Sequence, residues 1–170
     1  MTRKSKLPAR LKTVAGFIEN GAAVADVGTD HGYLPVYLAI NGLARRIIAT
    51  DISAGSLAAA RRSAAKYGVT DMISFVVAPG LSCVCPTEVD TIVIAGLGGE
   101  TIAGILGDAP WTKEGKRLIL QPQTKIEELR RFLDENGYTT LDTKQTHDKG
   151  RDYVVIIVGA NIVRPLPSPL

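Results

Sequence analysis

Two carboxylates, two glycines and a histidine crowd into the stretch Asp26-Val27-Gly28-Thr29-Asp30-His31-Gly32. An apolar run ends at Gly28, a polar turn follows, and a helical pattern opens at Tyr33. The stretch therefore reads as a strand, a tight loop and a helix N-terminus. Such a junction offers free N–H groups and the positive end of a helix dipole. In open α/β sheets it is where nucleotide-type cofactors bind. Gly28 and Gly32 let the backbone approach a ligand closely. Their spacing is not G-x-G-x-x-G, so a plain NAD or FAD reading starts weakly. Asp26, at the end of an apolar strand, either ties the loop together or accepts from a ligand amino group.

A second acid stands at the corresponding place on the next apolar run. Asp51, followed by Ile52, ends Arg46–Ile52 and lies 23 residues beyond Gly28. An acid at that spacing accepts hydrogen bonds from ribose hydroxyls. Its competing role is to cap the helix that follows, a job for which Ser53 also stands ready. Gly96, Gly98 and Gly99 follow a third apolar run. They either leave space for a flat base or bend the chain for packing.

The elements that must position these residues follow from periodicity. Leu7, Leu11, Val14 and Ile18 recur at helical spacing, and Asn20-Gly21 stops that helix. Arg10 and Lys12 are expected away from its apolar stripe. Strands are expected near 22–27, 46–52, 73–77, 90–95 and 117–120, and helices near 33–40, 54–67, 100–106 and 126–135. The last stretch changes rhythm: 138–145 and 153–158 are strand-like around Asp148-Lys149-Gly150, which predicts an antiparallel hairpin. Strands alternating with helices give a mostly parallel, doubly wound sheet, here of seven strands with one antiparallel strand near its C-terminal end.

Composition sets the frame. A chain of 170 residues with 45% hydrophobic content fits one α/β domain. The formal net charge of +3 permits an anionic partner without requiring one. No apolar stretch reaches the length of a membrane span and no signal-peptide pattern is present, which points to a cytoplasmic location. Cys83 and Cys85 lie two apart, too few ligands for a zinc site, so no metal is expected.

The ordered strings go further. Arg10-Leu-x-x-Val-Ala15, Asp26-Val-Gly-Thr-Asp-His-Gly-Tyr-Leu-Pro35, Ile94-Ala-Gly-Leu-Gly-Gly99 and Leu118-Ile-Leu-Gln-Pro122 together resemble the bacterial TrmK family of tRNA (adenine-22-N1)-methyltransferases. The terminal hairpin agrees, since the class I S-adenosylmethionine-dependent methyltransferase sheet carries one. The resemblance covers roughly residues 7–158. It implies a Rossmann-like methyltransferase domain over residues 1–160, S-adenosylmethionine as methyl donor, and N1 of a tRNA adenine as acceptor. At 161–170 the chain reads as a proline-rich tail, where the family continues into a helical, coiled-coil-like domain. The alternatives are a methyltransferase for a small molecule or protein, or a non-catalytic cofactor- or RNA-binding homologue.

Residue by residue, the resemblance places Asp26, Gly28, Gly32, Asp51, Ile52 and Gly96 at the cofactor. Pro79 and Gly80, in Ala78-Pro-Gly-Leu81, occupy the position where the family sets a polar residue near the cofactor adenine. Asp30 becomes the candidate carboxylate beside the acceptor base, against the simpler role of capping the second helix. His31 next to it is a candidate substrate contact. Leu97, Gly98 and Gly99 are expected on the substrate side, Tyr153 as a ring to stack on a base, and Arg10 as a contact for RNA phosphate.

Overall fold

The computed structural model describes residues 5–159. The proline-rich tail and the basic Arg3 and Lys4 lie outside them. A short helix α1 (Ala9–Gly16) leads into alternating strands and helices: β1 (Ala22–Val27), α2 (Tyr33–Ile40), β2 (Ala44–Asp51), α3 (Ala54–Lys66), β3 (Ser74–Val77), β4 (Thr91–Leu97), α4 (Gly99–Gly107), β5 (Arg117–Pro122) and α5 (Ile126–Glu135). The hairpin β6 (Thr140–Asp148) and β7 (Arg151–Gly159) closes the chain. The seven strands lie in the order β3-β2-β1-β4-β5-β7-β6. All pairings among β1 to β5 are parallel, and β7 runs antiparallel to both β5 and β6. The expected sheet, with its single reversed strand, is thus the one formed.

Central strands are apolar without alternation because helices cover both faces. Along β5, Ile119 packs on one side with Leu7, with Leu11 and Val14 of α1, and with α2. Leu118 and Leu120 pack on the other with Ile102 and Leu106 of α4 and Leu129 and Leu133 of α5. The period-2 geometry of a strand sorts neighbouring residues into two cores.

Two departures from expectation have simple causes. β4 does not stop at Ala95 but runs to Leu97, with its pairing to β5 slipping by one residue at Gly96, whose φ is +77°. A glycine there makes a bulge within the strand, not its end. The hairpin arms are longer than the apolar pattern suggests, because Lys149 and Gly150, both at positive φ, form a two-residue turn immediately between them.

Gly99 opens α4 and is buried. Its N–H donates to the Thr124 carbonyl at 2.7 Å, and a Cβ there would collide with the Lys125 carbonyl. Gly104 lies on the exposed side of the same helix, and a Cβ added to it would meet nothing within 4 Å. Gly99→Ala should therefore cost about 2–4 kcal/mol, whereas Gly104→Ala should be neutral or stabilise by up to about 1 kcal/mol through helix propensity. Chemical denaturation of the two variants checks this; equal effects would contradict the packing account.

Candidate functional site

Parallel β1, β2 and β4 end at the same edge of the sheet, and the loops leaving them surround one cavity of about 410 Å³. That volume lies in the range of small-molecule sites. The first loop is pinned by a single acceptor: the Thr50 carbonyl takes the N–H of Gly28 at 2.8 Å and of Thr29 at 3.0 Å. The Thr50 hydroxyl donates to the Gly80 carbonyl at 3.2 Å, which ties the loop after β3 to the same strand. The chain then turns through two left-handed residues, Asp30 and Gly32, into α2.

Asp51 ends β2 with its carboxylate held on both oxygens. Oδ2 accepts the Asp30 N–H at 3.1 Å and Oδ1 accepts the Ser53 N–H at 2.9 Å. Capping of α3 belongs to Ser53, whose hydroxyl accepts from Ser56 N–H at 3.1 Å. Asp51 is thus oriented toward the cavity, not consumed by the helix. Asp26 lies at the cavity's inner wall and is 5% exposed. Burial pushes its pKa up to about 7. The Thr29 hydroxyl, donating at 2.7 Å, draws it down; the Asp51 charge raises it and the Arg10 guanidinium lowers it.

Arg10, Asp26, Gly28, Asp30, Asp51, Ile52, Gly80, Gly96 and Leu97 all line this cavity, so nine of the sequence candidates converge on it. Gly28 has φ of +72°, a conformation that disfavours any side chain. Asp30 is not the cap of α2; that position is Gly32, and no side chain caps the helix. The Asp30 carboxyl is exposed at the rim, with Oδ1 3.9 Å from His31 Nε2. His31 stands outside the lining, its ring 5.6 Å from that of Tyr33.

Several expectations need correcting. Gly32 does not line the cavity: a Cβ there would sit 2.8 Å from that of Ala60, so it is glycine because α2 and α3 pack closely. Pro79 is exposed and outside the lining, while its neighbours Ala78 and Gly80 form part of the wall. Gly98 and Gly99 lie outside the lining and pack on the loop before α5; a Cβ on Gly98 would lie 3.1 Å from the Thr124 hydroxyl, and one on Gly99 would collide with the Lys125 carbonyl. Tyr153 is half-buried on β7, paired across from Thr146, and does not reach the cavity. Arg10 is not on a solvated helix face: its Nη1 donates to Gln121 Oε1 at 3.3 Å and it lines the cavity.

Sequence reasoning missed Thr29, Tyr33, Thr101 and Ile105, which line the cavity together with Leu11, Val27, Leu34, Ala78 and Ala95. Only Thr29 left a signal, a hydroxyl three residues after a buried acid. Among the described residues no cluster of three or more His, Cys, Asp or Glu could hold a metal, and Cys83 and Cys85 are exposed free thiols. No helix among them is long and apolar enough to cross a membrane.

Comparison with known proteins agrees with this geometry. A methyltransferase-domain family matches residues 7–156. The tRNA (adenine(22)-N(1))-methyltransferase of Bacillus subtilis is 40% identical over 156 residues, 91% of this chain and 66% of the relative. The crystal structure of B. subtilis M1A22 tRNA methyltransferase TrmK superposes with a TM-score of 0.85 at 38% identity, covering 91% of this chain and 66% of that one. A putative tRNA (m1A22) methyltransferase of Streptococcus pneumoniae, solved in complex with S-adenosyl-L-methionine, superposes with a TM-score of 0.83 at 34% identity, covering 88% of this chain and 71% of that one. The chain spans about two thirds of the length of these relatives.

The raised pKa of Asp26 has a consequence for stability. A carboxyl that ionises at 3.8 when unfolded and at about 7 when folded holds an extra proton in the folded state between those values. Its contribution to stability therefore falls as pH rises through that window and stays low above it. Asp26→Asn keeps an acceptor for Thr29 but cannot ionise. Relative to the unmodified protein it should gain roughly 2–4 kcal/mol between pH 5 and pH 8. Urea unfolding at both pH values tests this, and parallel pH dependences would refute it.

Proposed function

Since the chain belongs to the TrmK family of methyltransferases, with the class I methyltransferase fold over its described residues, we propose that it transfers a methyl group from S-adenosylmethionine to N1 of an adenine in tRNA. The observation that carries this reading is one cavity with oriented Asp51 at one strand end, buried Asp26 at the next, and Asp30 at the open rim. The residues fit the cofactor. Asp51 retains lone pairs to accept from ribose hydroxyls, and Ile52, Ala78, Gly80 and Ile105 offer an apolar slot for a flat base. Asp26 presents a buried acceptor to the amino group. When bound, the cofactor supplies an electrophilic methyl group on a sulfonium.

The chain's own residues then have two tasks. One is to hold the acceptor in line with the methyl group, which lowers the barrier by removing translational and rotational freedom. The other is electrostatic. Adenine N1 attacks through a lone pair, so no base is needed to activate it, but positive charge spreads into the ring as the bond forms. Asp30, at the rim, accepts from the exocyclic amine, stabilises that charge and can take a proton. His31, beside it, contacts the acceptor base. N1 lies on the Watson–Crick edge, so the adenine must be unpaired or turned out of its helix. A tRNA substrate places this work in the cytoplasm.

Asp30 sits at φ +53°, where Asn is tolerated far better than Ala. Asp30→Asn should lower the rate of labelled-methyl transfer to tRNA at least about 100-fold and leave S-adenosylhomocysteine affinity within about twofold. Asp51→Ala should abolish that binding. Methyl transfer to a protein or metabolite fraction in place of tRNA would overturn the substrate assignment, and full turnover by Asp30→Asn would overturn the role of Asp30.

A further inference from the structure

Cys83 and Cys85 are the two cysteines of the chain, and both are exposed free thiols. They lie between β3 and β4, outside the cavity lining. Val84, between them, is buried with Leu81 in the core that holds Ile102 and Leu106 of α4. The chain at Cys85 is extended, with φ −76° and ψ 128°. Side chains alternate along an extended chain, so with Val84 turned inward the two thiols face solvent on the same side. Two extended residues span roughly 7 Å between Cα atoms, close to the upper limit of about 6.8 Å that a disulfide bridges. A small contraction of the segment brings one sulfur onto the other.

The segment is braced on both flanks. Before it, the Ser82 N–H donates to the Pro79 carbonyl at 3.2 Å and the Val84 N–H to the Leu81 carbonyl at 3.0 Å. After it, the Glu88 N–H donates to the Cys85 carbonyl at 3.0 Å. Lys116 Nζ donates to the carbonyls of Pro86 at 2.6 Å and Val89 at 2.8 Å, and Arg46 pairs with Glu88 at 3.3 Å. This held turn places Thr87 Oγ1 3.2 Å from Cys85 Sγ. The Thr87 hydroxyl, and after it the Thr87 N–H, favour the thiolate and draw the Cys85 thiol below its ordinary range; the Glu88 charge works the other way. The thiolate is the form that attacks a disulfide. Cys83 has a weaker neighbour, the Ser82 hydroxyl 4.0 Å from its sulfur. The pair is therefore unequal: one activated sulfur and a second within reach of it.

We propose that Cys83 and Cys85 form a thiol–disulfide exchange site for low-molecular-weight disulfides, with Cys85 as the attacking sulfur and Cys83 as the resolving one. The Cys85 thiolate attacks one sulfur of the incoming disulfide. The S–S bond of that molecule breaks, and one half leaves as a thiolate that takes up a proton. Cys83 then loses its proton and attacks the Cys85 sulfur of the mixed disulfide, releasing the other half as a second thiol. The two protein thiols give up two electrons and two protons, the small disulfide receives them, and a Cys83–Cys85 bond remains. Excess reduced thiol runs the same steps backwards. The site lies apart from the cavity and does not rest on the cofactor that the cavity takes.

Incubation of the reduced protein with oxidised glutathione, followed over time by intact-protein mass spectrometry, tests the proposal. The protein with both cysteines should lose two hydrogens and keep no adduct. Cys83→Ser should accumulate a single glutathione, held on Cys85. Cys85→Ser should take up glutathione at least about 10-fold more slowly, since it lacks the activated sulfur. Thr87→Val, made in the Cys83→Ser background, removes the hydroxyl at an exposed position and keeps the side chain's shape. It should slow uptake by about threefold or more. Equal rates in Cys83→Ser and Cys85→Ser overturn the assignment of roles. Two stable adducts on the protein with both cysteines show that Cys83 does not resolve, and no reaction within the time that free glutathione exchanges shows that there is no site; either result overturns the proposal.

Discussion

The site depends on one acceptor, the carbonyl of Thr50. It takes two successive N–H groups from the loop after β1 and so fixes where that loop leaves the sheet. The hydroxyl of the same residue holds the loop after β3. The next residue, Asp51, takes the N–H of Asp30. Two residues of β2 thus set the positions of two loops, the one after β1 and the one after β3. This works only because β1, β2 and β3 are parallel and finish together; an antiparallel neighbour would put its loop at the opposite edge.

Much of this was readable in the residues. The mostly parallel sheet with one reversed strand follows from alternating elements and a terminal hairpin, and β1, α2 and α5 fall where their periodicity puts them. Asp26, Gly28 and Asp51 were identifiable because an acid or a glycine interrupting an apolar run is locally conspicuous. What escaped was set by contacts distant in sequence. Gly32 reads as a ligand-facing glycine, but its requirement comes from Ala60 on another helix. Gly99 reads as open space, but the space is filled by the loop at Thr124 and Lys125. Arg10 reads as a surface charge because nothing near it in the chain reveals Gln121, more than a hundred residues away.

The energetic cost of this arrangement is concentrated in Asp26. A carboxyl buried at the end of a central strand opposes folding near neutral pH, and the Thr29 hydroxyl only partly offsets that. Selection for stability alone would place an apolar residue there, as along the rest of β1. Retention of a destabilising acid at a cavity wall is what a site adapted to a cationic group requires.

The strand order also bears on how the chain acquires its structure. β1 lies at the centre of the sheet, between β2 and β4, so Val24 finds its second partner only at Thr91. Its first partner, β2, is available much earlier in synthesis, so a nascent chain can hold half a central strand pair while the other edge of β1 stays open. Pairings of such long sequence separation close slowly, because loop entropy is lost before contacts offset it. The acid and glycines at the end of β1 therefore reach their working geometry late, once β4 has arrived, and until then a fully buried strand of the finished protein has one edge available to the wrong neighbour.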